Sequence, residues 1–264
     1  MQGRGLNLIL GVYVALIFTF VFAPIFFSLV FSFNSQRFPT IPLGNFSTEW
    51  YAKILTDPDI WQAVRNSVIV SVSTALLATT LGFCTAYTDF RYNFRFKGPY
   101  LALILLPPTI PLIIMALAML AWLSRLGLSG QLWSIIMAHS VLTAPFAMAI
   151  IRLRLHQMDP DLEAAAWNLG GTEWQAMRHV IVPNSLPEIF TGARVAMGVC
   201  WGTVVAAELV AAEKGAGKMI IAASKFQLTD IVIMGIILIG VIGYGIDILM
   251  RIGERYLVPW KGRS

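Results

Sequence analysis

The sequence predicts an all-α polytopic membrane protein with about six transmembrane helices, and three observations carry that prediction. Hydrophobic residues fill 57% of the 264 positions and charged residues only 12%, with a mean hydropathy of +0.73, far from the soluble range. Six apolar runs, 6–33, 67–88, 99–124, 131–151, 189–212 and 231–250, each reach the ~20 residues a helix needs to cross ~30 Å of hydrocarbon. With both termini in the cytoplasm, eleven Lys and Arg residues fall on inner segments and seven on outer ones, leaving Arg194 inside a span. The chain therefore reads as a single transmembrane domain over 1–264, with 34–66 outside the cytoplasm and 152–188 inside it. These anchors account for the net charge of +5, and no basic-aromatic pattern calls for nucleic acid.

The first run is too long for a signal h-region and lacks a small-residue cleavage site, so it is expected to be retained. Pro24 within it predicts a local bend. In the outer segment, turn formers at 38–42 precede two stretches, 48–55 and 60–65, that read as short amphipathic helices, with Trp50, Tyr51 and Trp61 suited to the headgroup zone. The bland alternative is a loop that joins two spans. The second run carries Ser67, Ser71, Thr74, Ala75, Ala78 and Gly82, small residues that permit close helix approach. Cys84 and Cys200 lie in apolar runs and are expected to be buried, without disulfide or metal. The basic and aromatic stretch 89–97 reads as an inner-surface anchor.

Pro107, Pro108 and Pro111 interrupt the third run. Backbone broken in this way is stable only inside protein or beside an aqueous cavity, so these residues are candidates for a pathway or hinge, with a simple kink as the alternative. His139 in the fourth run has no second His, Cys or acid at metal spacing, which favours a satisfied intramembrane histidine over a ligand. In the fifth run Arg194 can snorkel to the inner side. Glu208, toward the outer end, needs water, a cation or donors. It is a gate candidate, against a structural hydrogen-bonding role or outer-interface exposure. The turn 213–218 lacks the spacing and the preceding strand of a phosphate loop, and 219–225 reads as a short or re-entrant helix. Asp247 in the last run is expected to be paired near the inner interface. No metal-ligand set, paired carboxylates or Ser-His-Asp arrangement recurs, so no active site is expected.

Between the fourth and fifth runs lies a polar island, Asp159-Pro160-Asp161-Leu162-Glu163-Ala164-Ala165-Ala166-Trp167-Asn168-Leu169-Gly170-Gly171. Asp161 reads as its N-cap and Gly170-Gly171 as its C-terminal stop. Thr172 caps a second amphipathic run, 173–182, which Pro183 and Pro187 are expected to close. The result is a rigid helical knob on the cytoplasmic face.

This island, with Val180-Ile181-Val182-Pro183, resembles the "EAA" cytoplasmic loop of permease subunits in type I ATP-binding-cassette importers. The family pattern is Glu-Ala-Ala, three residues, Gly, nine residues, Ile, one residue, Leu-Pro. Aligning Gly170 and Pro183 puts Ala164, Ala165 and Ala166 on the Glu-Ala-Ala positions, so Glu163 sits one residue early, rotated by ~100°. The resemblance implies the type I permease fold, a bacterial inner-membrane location and docking of the knob into an ATPase subunit. Asp161, Glu163, Ala164, Ala165, Ala166, Gly170, Gly171, Thr172 and Pro183 would then be the coupling residues. It also implies a dimer of ATPases that binds ATP and Mg, a second permease subunit of the same or a homologous kind, and a solute-binding protein outside. This chain would bind no cofactor and catalyse no hydrolysis itself. The first half, with Phe33-Asn34-Ser35 and Tyr92-Asn93-Phe94-Arg95-Phe96-Lys97-Gly98, resembles spermidine/putrescine permeases. The part from Trp201 onward, with 205–212, Thr229-Asp230 and 258–262, resembles taurine, alkanesulfonate and nitrate permeases. A taurine- or sulfonate-like solute is favoured, with polyamine as the runner-up. An ion-coupled secondary transporter would use Glu208 and Asp247, but the inverted repeats expected of one are not visible. An intramembrane hydrolase would need a nucleophile and base that Cys84, His139 and Asp247 do not provide.

Overall fold

Among the described residues, five helical stretches are long and apolar enough to cross a membrane, Gly5–Phe31, Pro58–Arg91, Leu132–Gln157, Glu173–Leu209 and Thr229–Leu257. The computed structural model describes residues 3–36, 38, 40–210 and 215–261. Glu213 and Lys214 of the turn after the fifth run, and the residues beyond Lys261, lie outside them. In chain order the helices are α1 (Arg4–Phe31), α2 (Glu49–Thr56), α3 (Pro58–Arg91), α4 (Lys97–Leu105), α5 (Leu112–Arg125), α6 (Leu132–Gln157), α7 (Pro160–Asn168), α8 (Glu173–Ala176), α9 (Val182–Val210), α10 (Ala216–Lys225) and α11 (Thr229–Leu257). Among the described residues the only β pairing is an isolated bridge between Asn34 and Phe46.

The third apolar run does not form one rod. It divides into α4, a 3₁₀ turn over Pro107–Thr109 that packs against α6, and α5. A proline has no N–H to give and its ring clashes with the preceding turn, so three within five positions end the α-helix. The Leu106 carbonyl released there is taken by the Thr109 amide (2.9 Å) and hydroxyl (2.7 Å).

The chain divides into two compact units, Met1–Val64 with Glu208–Ile242, and Arg65–Ala207 with Gly243–Ser264. In the first unit α1 is exposed along almost its whole length. The segment after it is tied by aromatic packing, with Phe33 stacked on Phe46 and on Tyr51, both at 5.1 Å. The Asn34 carboxamide oxygen accepts from the Gly44 amide at 2.9 Å, and the Trp50 indole donates to the Asn34 carbonyl at 3.0 Å. Only the first of the two expected short helices is separate, as α2. Residues 60–65 belong to α3, because Asp57 accepts from the Asp59 amide (2.9 Å) and Pro58 supplies the pre-set φ of a first helical residue.

In the second unit the small residues do the packing. Ala78, Ala147 and Ala196, all fully buried, bring α3, α6 and α9 together. A Cβ on Gly82 would lie 2.8 Å from the Met148 amide nitrogen, and one on Gly192 would lie 3.2 Å from the Ala147 carbonyl oxygen. In a bilayer, apolar side chains gain little by leaving lipid for protein, so close backbone approach and dispersion hold such helices. Toward the end of α6, Met148, Ile151 and Leu155 form a larger buried cluster with Ala86, Met158 and Ile181. Cys200 is buried as expected, whereas Cys84 is exposed on α3, because the packed face of that helix runs through Ala75, Ala78 and Gly82 instead. Gly82→Val is expected to lower the unfolding midpoint of the detergent-solubilised protein, corresponding to about 1–3 kcal/mol of overpacking, measured by thermal unfolding.

Candidate functional site

The polar island folds as two short helices joined by a sharp turn. α7 starts two residues earlier than its sequence suggests. The cap is Asp159, whose carboxylate accepts from the Asp161 amide at 3.0 Å, and Asp161 lies inside the first turn. Pro160 explains the shift, since its fixed φ and missing N–H suit the first helical position and leave the residue before it to cap. At the other end Gly170 takes φ +80°. Its amide donates to the Trp167 carbonyl and the Gly171 amide donates to the Ala166 carbonyl, both at 2.9 Å, which closes a Schellman turn. Gly171 is needed for space, because a Cβ there would lie 2.8 Å from the Ala166 carbonyl oxygen.

Thr172 caps α8 reciprocally with Gln175, as the sequence indicates, through bonds of 2.8 and 3.3 Å. Pro183 and Pro187 do not end the helix that follows. α8 passes through a π turn, Met177–Ile181, into α9, and both prolines lie within α9. The π turn widens the backbone just before Pro183, with the Val182 amide reaching the Met177 carbonyl, so that the ring and its missing donor are accommodated.

Side chains divide the island into an inner and an outer side. Glu163 is only 7% exposed, and its Oε1 lies 3.1 Å from Arg91 Nη1. Arg91 Nη2 donates to Glu173 Oε1 at 3.1 Å, and the guanidinium lies 4.9 Å from the centre of the Trp167 ring. Ala164 and Ala166 are half-buried and Ala165 is exposed. On the outer side Leu169 is 90% and Trp174 65% exposed, with Leu162 also exposed. Two residues before Arg91, the fully buried Asp89 carboxylate accepts from Arg152 Nε at 2.6 Å and from His156 Nε2 at 2.9 Å, with Lys97 beside it at 3.4 Å. Sequence reading took 89–97 as a surface anchor and missed these roles for Asp89 and Arg91. The signal that could have found them is a lone carboxylate within an otherwise basic stretch.

The pathway candidates lie apart from the island in sequence. Pro107 and Pro108 are half-buried and Pro111 is exposed. His139 Nδ1 donates to the Ile135 carbonyl at 2.9 Å, one turn back on α6. Among the described residues no group of His, Cys, Asp and Glu could hold a metal ion. Glu208 is buried and its Oε2 accepts from the Gly217 amide, 3.0 Å away, at the start of α10. Gly215, at φ +142°, leaves room for that carboxylate, which a Cβ there would overlap. Beside it a cavity of about 390 Å³ is lined by Lys53, Asp57, Asp59, Gln62 and Lys218. Arg194 reaches Asp247 at 2.9 Å, and Asp247 also pairs with Arg251 at 2.7 Å.

Among the described residues the chain has five helices long and apolar enough to cross a membrane, and a capped polar island follows α6. Residues 78–257 match the family model of the binding-protein-dependent transport system inner membrane component, and the chain belongs to that family. It is 30% identical over 204 residues to the spermidine/putrescine transport system permease protein PotC of Escherichia coli K12, covering 77% of each chain. To the taurine transport system permease protein TauC of the same organism it is 38% identical over 133 residues, covering 50% of this chain and 48% of TauC. A chain of a bacterial alginate ABC transporter, solved in complex with its alginate pentasaccharide-bound periplasmic protein, superposes with a TM-score of 0.76 at 15% identity, covering 97% of this chain and 96% of that one. A chain of the MetNI methionine ABC transporter in an inward-facing conformation superposes with a TM-score of 0.60 at 19% identity, covering 74% of this chain and 98% of that one. The type I permease fold expected from the island is thus the fold observed.

Glu208→Ala is expected to destabilise the detergent-solubilised protein by about 1–3 kcal/mol, whereas Glu208→Gln, which keeps an acceptor oxygen for the Gly217 amide, should cost less than half as much. Thermal unfolding of the two variants checks this.

Proposed function

We propose that the island is the dock for a separate ATPase subunit, and that ATP-driven closure of two such ATPases switches this permease between inward- and outward-open states. The observation that carries the reading is the set of large apolar side chains, Leu162, Leu169 and Trp174, exposed on a doubly capped knob. Exposed apolar groups on a rigid polar projection suit insertion into a partner's cleft. The knob's other side is held by Glu163 and by the half-buried Ala164 and Ala166, while the Gly170-Gly171 turn and the Thr172 cap keep it stiff. ATP and Mg belong to the ATPase in this reading, and the permease contributes movement. A second permease subunit, the same chain or a homologue, completes the pathway in the bacterial inner membrane, and a solute-binding protein loads it from outside. The break at Pro107, Pro108 and Pro111 serves as a hinge of the switch. His139 lies along the pathway, and Glu208 sits at the outer gate, holding the start of α10.

The solute in this reading is a small polar molecule of the taurine or sulfonate kind, supported by the 38% identity to the taurine permease. Polyamine is the second reading, supported by the longer match to the spermidine/putrescine permease. Thermal-shift measurements on the cognate binding protein separate them. Taurine or an alkanesulfonate is expected to raise its melting temperature, and a shift with spermidine or putrescine alone would transfer the assignment to polyamines.

Gly170→Val tests the dock. A β-branched residue at φ +80° costs about 1–2 kcal/mol, enough to loosen the turn while the spans stay inserted. Binding-protein-dependent uptake in proteoliposomes is expected to fall while ATP hydrolysis continues, and unchanged uptake would overturn the coupling role.

A further inference from the structure

Glu163, the island's early carboxylate, points away from the side that carries Leu169 and Trp174. It is buried and paired with Arg91 at 3.1 Å. Arg91 is the last residue of α3, and its guanidinium has three partners. Nη1 takes Glu163 in the first turn of α7, Nη2 takes Glu173 at the start of α8, and the flat face lies against Trp167, one helical turn after Glu163. A planar fork with separated donors can hold two carboxylates while stacking on an indole, which a lysine ammonium cannot do. One side chain therefore grips both helices of the island and spans the Schellman turn between them.

The base of this grip is also fixed. Two residues apart on a helix, side chains diverge by ~200°, so Asp89 and Arg91 leave the end of α3 in different directions. Asp89 is held by Arg152 and His156 of α6 and by Lys97 at the start of α4. The island is thus connected to α6 and α9 by the chain itself, and the Arg91 guanidinium ties both of its helices to the end of α3.

We infer that Arg91 is a positioning residue for energy coupling, a latch that uses the charge of Glu163 inside the chain and makes α3 move with the docked island. On this view Glu163 is no contact for the ATPase, and the docking face consists of Leu162, Leu169 and Trp174. The inference rests on the island being the ATPase dock.

The test uses the complete transporter, with its ATPase, companion permease and binding protein, in proteoliposomes. Solute uptake per ATP hydrolysed and the amount of ATPase co-purifying with the permease are both read. Arg91→Ala and Glu163→Gln are expected to lower uptake per ATP roughly tenfold while the ATPase still co-purifies. Arg91→Lys should fall between these and the native protein. The charge-exchanged pair Arg91→Glu with Glu163→Arg restores one ion pair but sets a carboxylate against Glu173, so it should recover part of the loss, which general misfolding would not allow. If Glu163→Gln loses the ATPase while Arg91→Ala keeps both the ATPase and normal coupling, Glu163 is a direct contact and the latch is wrong. Native coupling in Arg91→Ala would overturn it equally. Leu169→Asp with Trp174→Asp tests the underlying reading separately. If that variant retains the ATPase and its uptake, the dock itself lies elsewhere, whatever the Arg91 variants do.

Discussion

The second unit depends on the charges at the end of α3. Asp89 has no exposed surface and is surrounded by Arg152, His156 and Lys97, while Arg91 joins Glu163 and Glu173. Moving a single ion into such surroundings is costly, and removing one partner of a buried pair typically costs about 3–5 kcal/mol because the other is left uncompensated. Each pairing therefore specifies which segment lies against the helix end more strongly than it adds stability. α6, α4, α7 and α8 are all registered against the same two residues of α3.

Behind this polar end, the middle of the packing uses little bulk. Alanine and glycine let α3, α6 and α9 approach through Ala78, Gly82, Ala147, Gly192 and Ala196, and larger side chains gather toward the two ends of α6, with Met148, Ile151 and Leu155 near its end and Ile136 with Val70, Cys200 and Val204 near its start. Such a core transmits displacement well. Close-packed backbones have few side-chain rotamers through which a shift can be absorbed, and a rigid element with two discrete positions is what long-range coupling requires. The exposed apolar surface of α1 shows the opposite arrangement, an apolar helix whose exterior lipid hydrocarbon can cover.

Proline and the π turn set where stiffness is interrupted. Three prolines separate α4 from α5, and the π turn at Met177–Ile181 lets α8 continue into α9 past Pro183. The island is consequently continuous with a span on one side and separated from α6 by the short Met158-Asp159 connection on the other. The turn between its two helices is closed by the Gly170 and Gly171 amides, which donate back to the Trp167 and Ala166 carbonyls of α7.

Much of this was legible in sequence. Apolar run length determined the spans, since a backbone without water must satisfy its own hydrogen bonds. The prolines at 107, 108 and 111 determined the break, and Gly170, Gly171 and Thr172 determined the island's turn and second cap. Local chemistry misplaced what depended on competition between neighbours. Pro160 moved the cap from Asp161 to Asp159, Asp57-Pro58 merged 60–65 into α3, and a π turn carried the chain past Pro183 and Pro187. What only tertiary structure decided is the partner of each charge. Arg91 and Glu163 are 72 residues apart in the chain, and no periodicity links them. Whether a carboxylate faces a partner subunit or its own protein depends on helix rotation and on which side chain comes within about 3 Å, and both are settled by packing.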